Sequence, residues 1–206
     1  MKGFLASGGR EALKAAVRAV EARSSAELVV TVRPQAGSYA AIDLTWALVA
    51  GVATLAVGLF SPLEVSTPAL FLDPLFVGLV AGLLSRSLPF MRRLLVHRTR
   101  REARVREAAA AQFHVRRVHQ TSGRTGILVH LSMLERTCEV VADLGVEEAV
   151  EAEAWEAVID QLRRGLARGA DAVEIAGLLE GLGEVLEPAL PRSEDDVNEL
   201  PDEPHA

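Results

Sequence analysis

Cysteine occurs once in the 206 residues, as Cys138. That excludes an internal disulfide and fits a reducing compartment. Aromatic residues make up 4% of the chain, so any aromatic belt at a membrane interface is thin, with Trp46, Phe60, Phe71 and Phe90 as its members. The start, Met1–Arg10, carries charge but no apolar stretch and does not read as a signal peptide. The catalytic signatures of common hydrolases are missing as well. The residue six places after Cys138 is Leu144, whereas a cysteine phosphatase needs an arginine there. No Asp-x-Asp pair follows a strand-like run. His97, His114, His119, His130 and His205 form no His-Glu-x-x-His and no zinc spacing. On a continuous helix His114 and His119 would stand about 140° apart and share no ligand face.

Two long apolar runs dominate what is present: Ile42–Phe60 and Ala69–Leu84, joined by Ser61–Pro68. The first has one charge, Asp43 at its start, and is close to the roughly 20 residues that span a bilayer core. Soluble core helices show a polar residue every third or fourth position, and Trp46–Leu59 shows Thr54 alone. Both runs therefore read as a membrane hairpin. Asp73-Pro74 interrupts the second run, and this pair is expected to cap that helix at the outer interface. Lys14, Arg18, Arg23 and Arg33 precede the hairpin, the connecting loop has no Lys or Arg, and Arg86, Arg92, Arg93, Arg98, Arg100, Arg101, Arg104 and Arg106 follow. By the positive-inside rule both termini are cytoplasmic and the protein lies in the inner membrane with two spans. Gly51, Gly58, Gly78 and Gly82 allow close helix packing, within the hairpin or with another protein.

Outside the hairpin the chain has a soluble character. Glu11–Arg23 has the period of an amphipathic helix, with Leu13, Val17 and Val20 on one face. Glu27–Arg33 is β-branched and bounded by serines and Pro34, so it reads as a buried strand. Arg92–His119 has helical composition. Ile127–Ser132 and Thr137–Ala142 suit a β-hairpin with a four-residue connection, and Asp143-Leu144-Gly145 ends its second strand. Glu153–Arg168 and Asp171–Leu186 read as helices, with Gly169 a C-cap between them and Pro188 and Pro191 closing the second. A lone strand needs neighbours, and the others lie beyond the hairpin. The hairpin is thus an insertion into one α/β domain. The divisions are 1–41, first part of the domain; 42–91, transmembrane hairpin; 92–191, remainder of the domain; 192–206, acidic tail.

Glu21-Ala22-Arg23-Ser24-Ser25-Ala26-Glu27-Leu28-Val29-Val30, Arg124-Thr125-Gly126-Ile127-Leu128-Val129 and Glu139-Val140-Val141-Ala142-Asp143-Leu144-Gly145 resemble the TPM domain. That family includes thylakoid-lumen phosphatase-like, photosystem II repair and receptor-auxiliary proteins. The Trp155 helix and the ending Asp195–Asp202 resemble a membrane-bound bacterial branch. The resemblance implies an α/β/α sandwich around a small mixed sheet, and either acid phosphatase activity, Ca²⁺ binding or an accessory role beside a membrane complex. The better-known members place the domain outside the cytoplasm, unlike the orientation expected here.

Asp143 is the leading candidate metal residue, since a strand-end carboxylate can join other oxygens around Ca²⁺ or another divalent cation. It can equally make a turn by bonding to nearby backbone. Glu27 and Glu139 stand at strand starts and could add carboxylates. Arg124, flanked by glycines, can present a guanidinium to an anion or pair with an acidic neighbour. Gly123-Arg124-Thr125-Gly126 is not a phosphate-binding loop, because no Gly-Lys-Ser/Thr follows. Asn198, Glu199 and Asp202 form a docking segment, fold back onto the domain, or belong to a solvated acidic terminus. Arg86 to Arg106 suit anionic lipid headgroups. Nucleic acid is not expected, since stacking aromatics are few and the net charge is −6. The residues favour a non-enzymatic accessory protein that binds a membrane-protein partner, with a metal-dependent phosphohydrolase as the alternative.

Overall fold

A computed structural model of the chain describes residues 4–62, 64–88, 96–192, 199–200 and 204–205. The elements are α1 (Ser7–Glu21), β1 (Glu27–Arg33), α2 (Ala40–Phe60), α3 (Thr67–Ser87), α4 (Arg98–Val115), a 3₁₀ turn (Val118–Gln120), β2 (Gly126–Ser132), β3 (Thr137–Ala142), α5 (Leu144–Ala149), α6 (Ala152–Arg168) and α7 (Ala172–Ala189). They fall into two compact units: Met1–Ala36 with Arg101–Ala206, and Gly37–Arg100.

The first unit is built on a three-stranded mixed sheet of order β1-β2-β3. Strand β1 pairs parallel with β2, Glu27 opposite Gly126 through Arg33 opposite Ser132. Strand β3 returns antiparallel, with Ile127 opposite Ala142. The lone strand thus finds its neighbours beyond the apolar insert, and Met133–Arg136 make the expected four-residue connection. Both faces are covered, which explains why Leu28–Val32 and Ile127–Val129 read as continuous apolar runs rather than alternating ones. One face packs Leu28, Val30, Val32, Ile127, Val129 and Leu131 against Leu13, Val17 and Val20 of α1, Leu162 of α6 and Leu179, Leu182 and Leu186 of α7. The other packs Val29 and Leu128 against Ala109 and Phe113 of α4 and against Val118. Helices lie on both sides of the sheet, so the architecture is α/β/α.

Helix ends follow from local chemistry. Asp171 accepts from the backbone N–H groups of Val173 and Glu174 at 3.0 and 2.9 Å and starts α7. Gly169 ends α6 with φ 89°, a left-handed conformation that glycine adopts without strain. Helix α7 does not close at Pro188 but runs through it to Ala189. A proline in the last turn forfeits one backbone bond without ending the helix. Helix α4 stops at Val115 instead of reaching His119, because Arg117 turns left-handed with φ 57°. Asp143 does not merely end β3. It caps the short helix α5 by accepting the Leu144 N–H, a side-chain bond to nearby backbone of the kind expected of a turn-making aspartate.

In the second unit α2 and α3 pair as an antiparallel hairpin, each 21 residues long and apolar enough to cross a membrane. At 1.5 Å per residue each is about 31 Å long, the thickness of a hydrocarbon core. The glycines make the seam. A Cβ on Gly78 would stand 2.7 Å from the Ala47 carbonyl oxygen, one on Gly51 3.0 Å from that of Pro74, and one on Gly58 2.7 Å from a Leu70 methyl. Ser85 donates to Asp43 at 2.8 Å at the other end of the hairpin. Asp73 does not cap α3. The helix begins at Thr67, with Pro68 in its first turn where a missing N–H costs nothing, and continues through Pro74. Phe90, Arg92 and Arg93 lie outside the described residues.

Candidate functional site

The candidate residues gather where β1 and β2 begin and β3 ends. The turn Thr121–Gly126 is held from two sides. Gly126 passes so close to the 3₁₀ turn that a Cβ would meet the Val118 carbonyl oxygen at 2.0 Å, and a Cβ on Gly145 would meet the Gly123 and Arg124 carbonyl oxygens at 2.6 and 2.8 Å. The Asp143 N–H donates to Gly126 O at 2.9 Å and the Gly145 N–H to Arg124 O at 3.1 Å. Arg124 therefore adopts φ 54°, the left-handed region that few side-chain-bearing residues enter.

This geometry joins two of the expected site residues. Arg124 Nη2 donates to Asp143 Oδ1 at 2.9 Å, with Asp143 5% and Arg124 55% exposed. The same Oδ1 accepts the Leu144 N–H at 2.8 Å. Asp143 thus caps a helix and holds an arginine, while its buried Oδ2 has no partner among the described residues. A hard cation takes six to eight oxygens, and no group of three His, Cys, Asp or Glu among the described residues is placed to hold a metal. As arranged, Asp143 is an ion-pair and capping residue whose second oxygen is buried and without a partner among the described residues.

Other expected residues go elsewhere. Glu139 lies within β3 and meets Arg106 at 3.5 Å and Arg163 at 3.4 Å. Glu27 is buried, and its carboxylate accepts the backbone N–H groups of Glu199 and Leu200 at 3.1 and 3.2 Å. Glu199 itself accepts the Ser122 N–H at 3.0 Å and the Ser122 hydroxyl. It is thus a docking contact of the tail on the domain. Asn198 and Asp202 lie outside the described residues.

Two features were not legible as site residues. His130 is fully buried on β2, its Nδ1 2.8 Å from the Thr31 hydroxyl and its Nε2 without a partner among the described residues. Burial above all, then the nearby Arg33, pushes its pKa down to about 4 against the opposing pull of Glu135. A histidine inside an apolar strand was the available signal. The left-handed Arg117 also folds His119 back on His114, with ring centroids 5.2 Å apart. The separation of about 140° inferred for a continuous helix does not hold, because the helix ends between them.

No family model matches the chain, and no curated protein matches it. In fold the chain is similar to the NMR structure of the BA42 protein from the psychrophilic bacterium Bizionia argentinensis. The match covers 100% of this chain and 97% of that one, at 16% identity and a TM-score of 0.61. At that identity the likeness establishes a shared fold, an α/β/α arrangement, and carries no activity with it.

Proposed function

We propose that the chain is a membrane-anchored accessory protein, with a TPM-like α/β module on the cytoplasmic side of the inner membrane and a two-span hairpin holding it there. One observation carries the reading. The outer surface of the hairpin is largely apolar, with no buried residue in α2 and with Phe60 87% and Phe71 70% exposed; Asp73, seven residues into α3, is an exposed charge on it. Monomeric proteins in water rarely expose contiguous apolar patches beyond a few hundred Å², and lipid is the solvent in which that surface is at home. The charge asymmetry about the hairpin supports cytoplasmic termini. Arg98, Arg100, Arg101 and Arg104 supply headgroup contacts, each worth about 1 kcal/mol near an anionic surface. The resemblance to the TPM domain supports an assembly or maintenance role beside a larger membrane protein. The test is extraction. The protein should stay with membranes through alkaline carbonate and leave only with detergent; release by carbonate would refute the anchor.

A second reading has one observation in its favour, the partnerless Asp143 Oδ2. In that reading a divalent cation enters beside Asp143 as Arg124 swings away, and supports phosphate-ester hydrolysis by a metal-bound water. Aryl-phosphate turnover by the purified full-length protein with Ca²⁺, Mg²⁺ or Mn²⁺, abolished in Asp143→Asn, would favour it. Absence of turnover with every ion would leave the accessory reading in place.

A further inference from the structure

Strand β1 ends the sheet, and its outer edge would present unpaired backbone groups. The chain's own tail covers it. His205 pairs parallel beside Thr31, with its N–H donating to Val30 O at 3.0 Å and its carbonyl accepting the Val32 N–H at 2.8 Å. Upstream, each chemical feature of the Glu199-Leu200 pair meets a matching group. The backbone N–H groups bond the buried Glu27 carboxylate. The Glu199 carboxylate takes the Ser122 N–H and hydroxyl. Leu200 packs on the apolar patch of Val29, Ala109, Phe113, Val118 and Leu128. At the far end Arg116 stands 3.1 Å from the His205 ring.

Edge pairing for affinity, with side-chain pockets for specificity, is how sheet edges recognise extended peptides. We infer that this edge is a peptide-recognition groove for an extended segment carrying an acid–leucine pair, and that Glu199, Leu200 and His205 of the tail occupy it as an intramolecular ligand which a partner's segment of the same chemistry displaces. The buried Glu27 carboxylate meets Glu199 and Leu200 through their backbone N–H groups, the contact by which a groove holds a ligand main chain whatever its side chains. Strands β1 and β2 share seven register pairs, whereas among the described residues the tail meets β1 through one bridge, at His205, besides the Glu199-Leu200 contacts, a hold that a competing segment can displace. Its occupancy is helped by the tether, which supplies an effective concentration in the millimolar range, and cutting the tether exposes the intrinsic affinity. The inference deepens the accessory reading by naming the partner's chemistry. Its test needs no membrane partner, so its failure leaves the anchor standing.

A protease site placed between Arg192 and Ser193 of the full-length, detergent-purified protein permits cleavage after folding. The severed 193–206 fragment should stay with the body on gel filtration, and an excess of unlabelled synthetic 193–206 peptide should chase it off. In intact full-length protein carrying Leu200→Asp, a fluorescent wild-type 193–206 peptide should bind at least tenfold more tightly than it binds intact wild type, whose groove is filled. Adding Glu27→Gln to that variant should abolish the gain. Immediate loss of the severed fragment, a fragment that excess peptide cannot chase, or equal peptide binding to wild type and Leu200→Asp would each overturn the inference. The severed wild type answers the question even if Leu200→Asp fails to fold.

Discussion

Replacing His130 with asparagine should remove most of one component of the protein's acid sensitivity. Folded His130 has its pKa pushed down to about 4, while an unfolded histidine titrates near 6.5. Between those values the unfolded chain binds more protons than the folded one, so stability falls as pH falls through this window. Taken from pH 7 to pH 5, linkage puts the loss at about 2 kcal/mol, and it grows toward pH 4. For a chain of this size about 2 kcal/mol is roughly 4–8 °C in apparent Tm. Asparagine keeps a polar group near Thr31 Oγ1 and does not titrate. Melting followed by Trp155 fluorescence, with Trp46 replaced by phenylalanine in both proteins, reports on the α/β unit. Wild type should lose about 4–8 °C more than His130→Asn between pH 7 and pH 5. Equal losses would refute the claim that His130 is held neutral by its burial.

Five further outcomes follow from the local packing. Gly78→Val should destabilise the hairpin by about 1–3 kcal/mol through overpacking against the Ala47 carbonyl, read as a faster shift from hairpin to aggregate in a detergent titration. Gly8→Ala, where a Cβ meets nothing within 4 Å, should behave as wild type. Asp143→Ala should cost about 1–2 kcal/mol by removing the cap of α5, measured by denaturant unfolding, with Asp143→Asn losing less. Cys138, buried with its thiol pushed up to about 12, should resist maleimide at pH 8 while folded and react on denaturation. Leu182→Ala, on α7 and fully buried in the core that α1, α7 and the sheet share, should cost about 2–5 kcal/mol.

Much of the fold was legible because it is written in short-range patterns. The β-branched run Glu27–Arg33, the apolar period of α1 and the Gly169 stop each name an element by local chemistry. The need of a lone strand for neighbours then predicts the β1–β2 pairing across the insert. The failures share a different cause. Arg117, Arg124 and Arg136 all take positive φ, and nothing in an arginine announces that. The break at Arg117 therefore went unseen, and with it the approach of His119 to His114. Pro74 and Pro188 were read as boundaries, yet each lies inside a helix whose neighbouring turns hold it. At the site, Asp143 and Arg124 were singled out separately, and the close packing of Gly145 on the Arg124 turn brings them together. Glu27 looked like a stray strand-end carboxylate because its partners are backbone amides more than 170 positions away in sequence.

Topology tests the central claim most directly. Cys138 is buried and cannot report it, so single cysteines belong at Glu64, in the loop between α2 and α3, and at Glu147 on α5, both exposed, in a Cys138→Ser background. In intact cells of a bacterial host a maleimide that cannot cross membranes should label Glu64→Cys and leave Glu147→Cys unmodified, while opened cells label both. Labelling of Glu147→Cys in intact cells, or protection of Glu64→Cys, would contradict a two-span hairpin with its α/β module in the cytoplasm.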